Sequence, residues 1–348
     1  MIANFAVTYK CNSRCKTCGI WATEDRSRDE LSIDEIEAFF EGERELLSGV
    51  KSIQLTGGEP YLRGDISAIA GAVWRGIPGA FIWVATNGLL PESIVDRTTE
   101  ILSLQNRGGL GVTVSIDGVG PTHDDQRGIK GAYTRVLETL NRLSRLRETH
   151  PDMRLSIGMT ITPRNQHQVT RVLRVAECHD ADLTVRPENY SETYYKNSGV
   201  EGEWNQRALR VGLMAVGGYY IKKRGFFRAV PVLSYLRRVP DYTSGNSRRF
   251  PCSAGSSSFY LDPFGAVYPC LFIGSKIGDI RDGRLSEAWR SDEAERMRRM
   301  VAGRRCPGCL VECETMRDIS KDATGLALAA LGGATYECGR LLGVNPYV

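Results

Sequence analysis

The sequence predicts an α/β protein: an open, partial barrel of six strand and helix units, followed by a small C-terminal segment built from a cysteine-rich hairpin plus helix. Three observations carry this. From residue 1 to about 190, short apolar runs alternate with longer amphipathic stretches, the pattern of a parallel sheet with right-handed crossovers. Three cysteines follow the first apolar run directly. Further cysteines gather beyond residue 251 around a turn between two short apolar segments.

In chain order the strand runs are 1–9, 52–56, 80–85, 110–116, 155–161 and 181–185, and the helical stretches between them are 32–47, 66–74, 91–102, 132–147 and 165–176. Six units instead of eight predict a barrel that does not close. After about residue 190 the alternation stops. A Tyr-rich polar stretch, 188–196, leads into helical segments at 206–223 and 229–238, and a Ser/Gly-rich loop at 243–248 precedes the second cysteine group. The expected domains are a core over 1–190, a helical connection and substrate-covering segment over 191–250, and a cysteine-rich domain with a C-terminal helix over 251–348.

The 348 residues fit one large domain or two ordinary ones. A net charge of +4 does not demand nucleic acid, so Lys222, Lys223 and Arg224, and the run Arg296, Arg298, Arg299, Arg304 and Arg305, read as solvated faces. The N-terminus lacks the basic and apolar regions of a secretory signal, which predicts a cytoplasmic protein. Ten cysteines there point to metal and not to disulfides. The longest apolar run, 325–334, is too short to span a membrane.

Cys11, Cys15 and Cys18 form a CxxxCxxC loop. A [4Fe-4S] cluster normally takes four thiolates, so three leave one iron open to another ligand. Zinc would need a different rhythm, and a disulfide framework an oxidising compartment. The loop hangs from the C-terminal end of the first strand, the rim where barrels of this kind assemble active sites. Here the chain resembles the radical S-adenosylmethionine (SAM) enzymes. The resemblance implies a TIM-type (β/α)6 partial barrel in which the amine and carboxylate of SAM chelate the open iron. One electron from the cluster then cleaves SAM to a 5′-deoxyadenosyl radical. Thr17 stands where the family often has an aromatic residue.

On the same resemblance, Gly57, Gly58 and Glu59 at the end of the second strand hold the SAM amino group. Paired glycines also let a backbone approach a ligand closely. Asn87 closes the third strand. Ser115 and Arg127 are implied contacts of the SAM carboxylate or ribose, Asp117 of neighbouring polar groups, and the backbone near Met159 of the adenine. Asn87-Gly88 and Asp117-Gly118 are also ordinary turn and cap sequences, and Met159 fits core packing. At the sixth strand end, Arg186 could clamp a carboxylate or phosphate while Glu188 or Tyr190 moves protons. A structural pair between Arg186 and Glu188 is the competing reading.

The second cysteine group starts with a hairpin, 259–261 and 266–268 around the turn 262–265, which brings Cys252 and Cys270 together. Cys306, Cys309 and Cys313 follow. Cys252, Gly265 and Cys270 resemble the opening signature of the SPASM and twitch extensions of radical SAM enzymes. Only three residues separate Cys309 from Cys313, shorter than the two-cluster pattern, which predicts one auxiliary [4Fe-4S] cluster. Its expected ligands are Cys252, Cys270, Cys306 and Cys309, with Cys313 as substitute; Cys338 could serve a second cluster, and zinc is the alternative metal. Cys178 is expected to be an ordinary buried thiol.

The expected activity is hydrogen abstraction from a substrate C–H bond, ending in oxidation or epimerisation of a small-molecule intermediate. Because the chain opens on its first strand, with no leader-binding domain ahead of it, a small molecule is expected over a peptide. A peptide-modifying SPASM maturase, or a non-catalytic iron–sulfur electron carrier, is the alternative. A flavodoxin or ferredoxin is the expected electron donor.

Overall fold

A computed structural model describes residues 1–105, 107–197, 202–246, 251–306 and 308–341, the last helix by its side chains only as far as residue 334. The strands are β1 (Ile2–Thr8), β2 (Ser52–Gly57), β3 (Phe81–Thr86), β4 (Gly109–Ser115), β5 (Arg154–Ile161), β6 (Asp182–Pro187), β7 (Ser258–Leu261), β8 (Ala266–Tyr268) and β9 (Gly278–Asp279). They form one sheet in the order β6-β5-β4-β3-β2-β1-β7-β8-β9. All pairs from β6 to β1 are parallel, so six strand ends meet on one rim.

The six expected strands all form, because each apolar run has a buried face to fill. Phe5, Leu55, Ile82, Val84, Val112, Val114 and Ile157 are fully buried in the main core. Helices cover them from outside. The first, Ile33–Gly42, starts where Ser32 and Glu35 satisfy each other's backbone N–H groups, Glu35 N–H donating to the Ser32 hydroxyl at 3.2 Å and Ser32 N–H to the Glu35 carboxylate at 2.8 Å. The single helix expected over 32–47 breaks at Glu43, whose buried carboxylate accepts from Ser286 N–H at 3.1 Å. Within the barrel, helix Pro121–Arg127 between β4 and β5 was not anticipated.

The hairpin does more than join two cysteines. Its first strand, β7, pairs in parallel with β1, from Ile2 against Ser258 to Phe5 against Leu261, so the cysteine-rich segment continues the barrel sheet. The otherwise open edge of β1 is thereby hydrogen-bonded. The connection carries helices Gln206–Arg224, Phe226–Leu236 and Arg238–Thr243. Tyr220 of the first donates to the Leu183 carbonyl at 2.9 Å, which sets that helix behind β6. Among the described residues, no helix is long and apolar enough to cross a membrane.

Candidate active site

One cavity opens at the rim where β1 to β6 end. Cys11, Cys15 and Cys18 line it, together with Gly57, Gly58, Asn87, Ser115, Asp117, Arg127, Arg186 and Glu188. Eleven of the residues singled out in the sequence are thus brought to one place. Glu59, Met159 and Tyr190 are placed differently.

At the end of β2, the glycines serve the chain's own backbone. A Cβ on Gly57 would lie 2.1 Å from the Thr8 carbonyl oxygen, and one on Gly58 2.2 Å from that of Lys10. Their absence lets Gly58 N–H and Glu59 N–H donate to Thr8 and Lys10, each at 2.8 Å, which fixes the start of the cysteine loop. Gly57 also has φ of +117°, a region few side chains tolerate. Glu59 is fully buried. Its carboxylate accepts from Asn87 N–H at 2.7 Å, the Thr86 hydroxyl at 2.9 Å and Tyr61 N–H at 3.2 Å. Burial pushes its pKa up to about 7. The side chain therefore orients the end of β3. Asn87 passes that order on, donating to the Asn12 side chain at 2.7 Å beside Cys11.

Beyond β4, Asp117 is a hub. Its carboxylate pairs with Arg127 at 2.9 Å and accepts from Thr160 N–H at 2.8 Å, while its own N–H donates to His123 Nδ1 at 3.1 Å. Burial holds the His123 pKa down at about 3, so the ring is neutral. Arg127 reaches back to the Cys15 sulfur at 3.6 Å. Met159 has its side chain in the core, and the next residue, Thr160, lines the cavity instead. The period of two along β5 separates them.

At the end of β6, Arg186 pairs with Glu312 at 3.1 Å and not with Glu188. Glu188 is buried on the cavity wall. Tyr190 is about half exposed, and burial together with Glu188 raises its pKa to about 12. Two tyrosines further on take the cavity wall, Tyr194 and Tyr195. The Tyr194 hydroxyl meets that of Thr56 at 2.8 Å. Trp21, Thr56, Thr160, Asn189 and these tyrosines are among the lining residues that sequence reasoning missed. The Tyr-rich stretch was visible as composition, but its direction was not.

The second thiol set lies next door. Cys252, Cys270, Cys306, Cys309 and Cys313 pack into one apolar cluster with Tyr194, Tyr260 and Leu271, and Cys18 of the first loop packs against the same cluster. Burial raises the Cys270 and Cys313 thiols well above their usual range, with Glu314 and Cys309 adding to the effect on both. Ser253 N–H donates to Asp318 at 2.9 Å, which anchors the turn beside Cys252. Among the described residues, no three His, Cys, Asp or Glu side chains converge tightly enough to grip a single metal ion. Cysteine thiolates are the donor set an iron–sulfur cluster takes. The side chain of Cys338 lies outside the described residues. Cys178 is exposed at the end of helix Val169–Cys178, because that face of the helix turns from the sheet.

A family model described as the radical SAM superfamily matches residues 5–176, and one described as an iron–sulfur cluster-binding domain, SPASM, matches 252–314. The AdoMet-dependent heme synthase of Methanosarcina barkeri is 26% identical over 83% of this chain and 82% of its own length. The sporulation killing factor maturation protein SkfB of Bacillus subtilis is 29% identical over 81% of this chain and 62% of its own. Among solved structures, anSMEcpe with bound AdoMet superposes with a TM-score of 0.62 at 17% identity, over 99% of both chains. Streptococcus suis SuiB bound to SAM gives 0.61 at 17% identity, over 84% of this chain and 65% of that one. The chain belongs to the radical SAM superfamily: it is a SAM-dependent iron–sulfur enzyme with a partial barrel and a C-terminal SPASM domain.

Proposed function

We propose that this enzyme takes a hydrogen atom from a C–H bond of a small biosynthetic intermediate and oxidises it. When bound, the cluster and SAM supply a 5′-deoxyadenosyl radical by one-electron cleavage of SAM. In this reading Cys11, Cys15 and Cys18 hold the cluster that cleaves SAM. Gly57, Gly58, Asn87, Ser115 and Thr160 form the wall against SAM, with Glu59 and Asp117 behind it as positioning residues. Arg186 orients an anionic group of the substrate, and Glu188 holds or accepts a proton. Later cysteines among Cys252, Cys270, Cys306, Cys309 and Cys313 would hold an auxiliary cluster, which would supply an acceptor for the electron that oxidation releases. Residues 1–190 act as the catalytic core and 251–348 as the auxiliary domain. A flavodoxin or ferredoxin of the cytoplasm delivers the first electron.

The observation that carries this is the shared apolar cluster, which brings together Cys18 of the first thiol set with Cys252, Cys270, Cys306, Cys309 and Cys313. The two thiol sets thus border one packed region. Three relatives are named for haem-type products: AdoMet-dependent heme synthase, pre-heme d1 synthase and Fe-coproporphyrin III synthase. A tetrapyrrole carboxylate facing Arg186 is therefore the first small molecule to test. SkfB, named as a maturation protein, supports a peptide substrate as the second reading.

The test is anaerobic reconstitution followed by reaction with SAM and a strong reductant. Two clusters give about eight irons per chain. 5′-Deoxyadenosine and methionine should both form, and a deuterated substrate should pass its label to the 5′-deoxyadenosine. Absence of both products would leave the electron-carrier reading.

A further inference from the structure

We propose that Arg127 sets the reduction potential of the N-terminal cluster by holding a buried guanidinium against the Cys15 sulfur. This rests on the reading that Cys11, Cys15 and Cys18 hold that cluster. Arg127 is a positioning residue in this role, separate from any contact with SAM.

The geometry singles out one thiol of three. Arg127 Nη1 lies 3.6 Å from Cys15 Sγ, and the Ser13 hydroxyl lies 3.1 Å from the same sulfur. Cys11 has the Asn87 amide nearby, but at 3.9 Å. The arginine has little room to drift. Its Nη2 is paired with Asp117 at 2.9 Å, with the two side chains 11% and 2% exposed. Asp117 is itself held by Thr160 N–H, and its backbone carbonyl accepts from Asn165 at 2.8 Å.

The loop is clamped to the same helix end. Arg14 N–H donates to the Arg127 carbonyl at 3.0 Å, and Lys16 N–H to that of Gln126 at 3.0 Å. Gly128, at φ +66°, ends the helix where a Cβ would lie 2.4 Å from the Arg14 carbonyl oxygen, so the approach needs glycine. Cys15 and Arg127 thus belong to one rigid unit. Arg127 Nε is buried and unpartnered among the described side chains, which leaves a separate donor for an anion of SAM.

An added electron increases negative charge on the cluster and its sulfurs. A hydrogen-bond donor with positive charge, in a site shielded from water, stabilises that reduced form. The neighbouring Asp117 damps the charge but leaves the directed N–H bond. Arg127 therefore raises the potential and makes the cluster easier to reduce.

The test is an EPR-monitored redox titration of the reconstituted holoenzyme without SAM, following the signal that SAM addition perturbs. In Arg127→Gln the ratio of reduced to oxidised cluster at a fixed potential should fall about tenfold, equivalent to about 59 mV for a one-electron couple. Arg127→Lys should retain part of the effect, and Ser13→Ala should shift less in the same direction. If Arg127→Gln loads poorly, the other two variants decide. An unchanged midpoint in fully loaded variants, with the loss confined to SAM affinity, would overturn the inference. A wild-type chain without a SAM-responsive cluster would instead overturn the reading beneath it, and iron analysis separates the two.

Discussion

Arg186, at the end of β6, donates to Glu312 at 3.1 Å and ties the cavity wall to the helix Glu312–Asp318 that carries Cys313. This contact joins the barrel to the cysteine-rich segment through charge, where β1 and β7 join them through backbone. The second Glu312 oxygen is buried and unpartnered among the described residues. Removing the arginine leaves a half-buried carboxylate with no cation. Arg186→Ala should lower stability by about 1–3 kcal/mol, measured by anaerobic denaturant unfolding. In the proposed mechanism it should also cut substrate oxidation at least tenfold while 5′-deoxyadenosine still forms. A variant unchanged in both would remove Arg186 from the substrate side.

Glu59 gives stability a slope with pH. Its folded pKa of about 7 lies above the usual 4.5, because burial disfavours the carboxylate. The folded state therefore keeps a proton that the unfolded state has lost, and stability falls as pH rises from about 4.5 through 7. The loss amounts to about 2 kcal/mol between pH 5 and 7. Glu59→Gln should remove this contribution, although it costs stability throughout by turning an amide N–H toward the donors of β3. Unfolding curves at pH 5, 6 and 7 read the slope independently of the offset.

His123 acts with the opposite sign. Burial holds its folded pKa at about 3, below the usual 6.5, so the unfolded chain binds a proton that the folded one refuses. Stability is lost as pH falls below about 6.5, by about 2 kcal/mol from pH 7 to 5. Glu59 and His123 nearly cancel over that window. His123→Gln should therefore expose a stability that declines with rising pH, and Glu59→Gln one that declines with falling pH. Parallel curves for the two variants would show that neither group titrates as its burial implies.

Much of this arrangement was legible in the sequence because it depends on local pattern. Six apolar runs gave six strands, and CxxxCxxC after the first put the thiols at the rim. What the sequence hid depends on which way a side chain turns or what a distant segment does. Met159 and Thr160 are adjacent, yet the pleat sends one to the core and the other to the cavity. Gly57 and Gly58 read as a ligand cradle, and no local pattern reports that they also admit the carbonyls of Thr8 and Lys10. Arg186 had an acidic neighbour two positions away, and its partner proved to lie 126 positions on. The pairing of β7 with β1 joins segments about 250 residues apart, and no periodicity reports such a contact.

The ligands of the auxiliary cluster can be sorted by substitution. Burial raises the Cys270 and Cys313 thiols, Cys309 lies close enough to act on both, and Cys252 acts on Cys270. Cys306 packs against the same cluster and follows the exposed Arg304 and Arg305 in the chain. These relations favour Cys252, Cys270, Cys309 and Cys313 as the four ligands, with Cys313 in the place that spacing gave to Cys306. Cys313→Ala should lose about four irons per chain and Cys306→Ala should keep about eight, measured by iron and sulfide analysis after anaerobic reconstitution. Cys15→Ala provides the complementary loss at the SAM site. The reverse result, iron lost from Cys306→Ala and kept in Cys313→Ala, would return the ligand set to the CxxC pair. Cys313 would then be a buried thiol whose neighbour Glu312 matters only through Arg186.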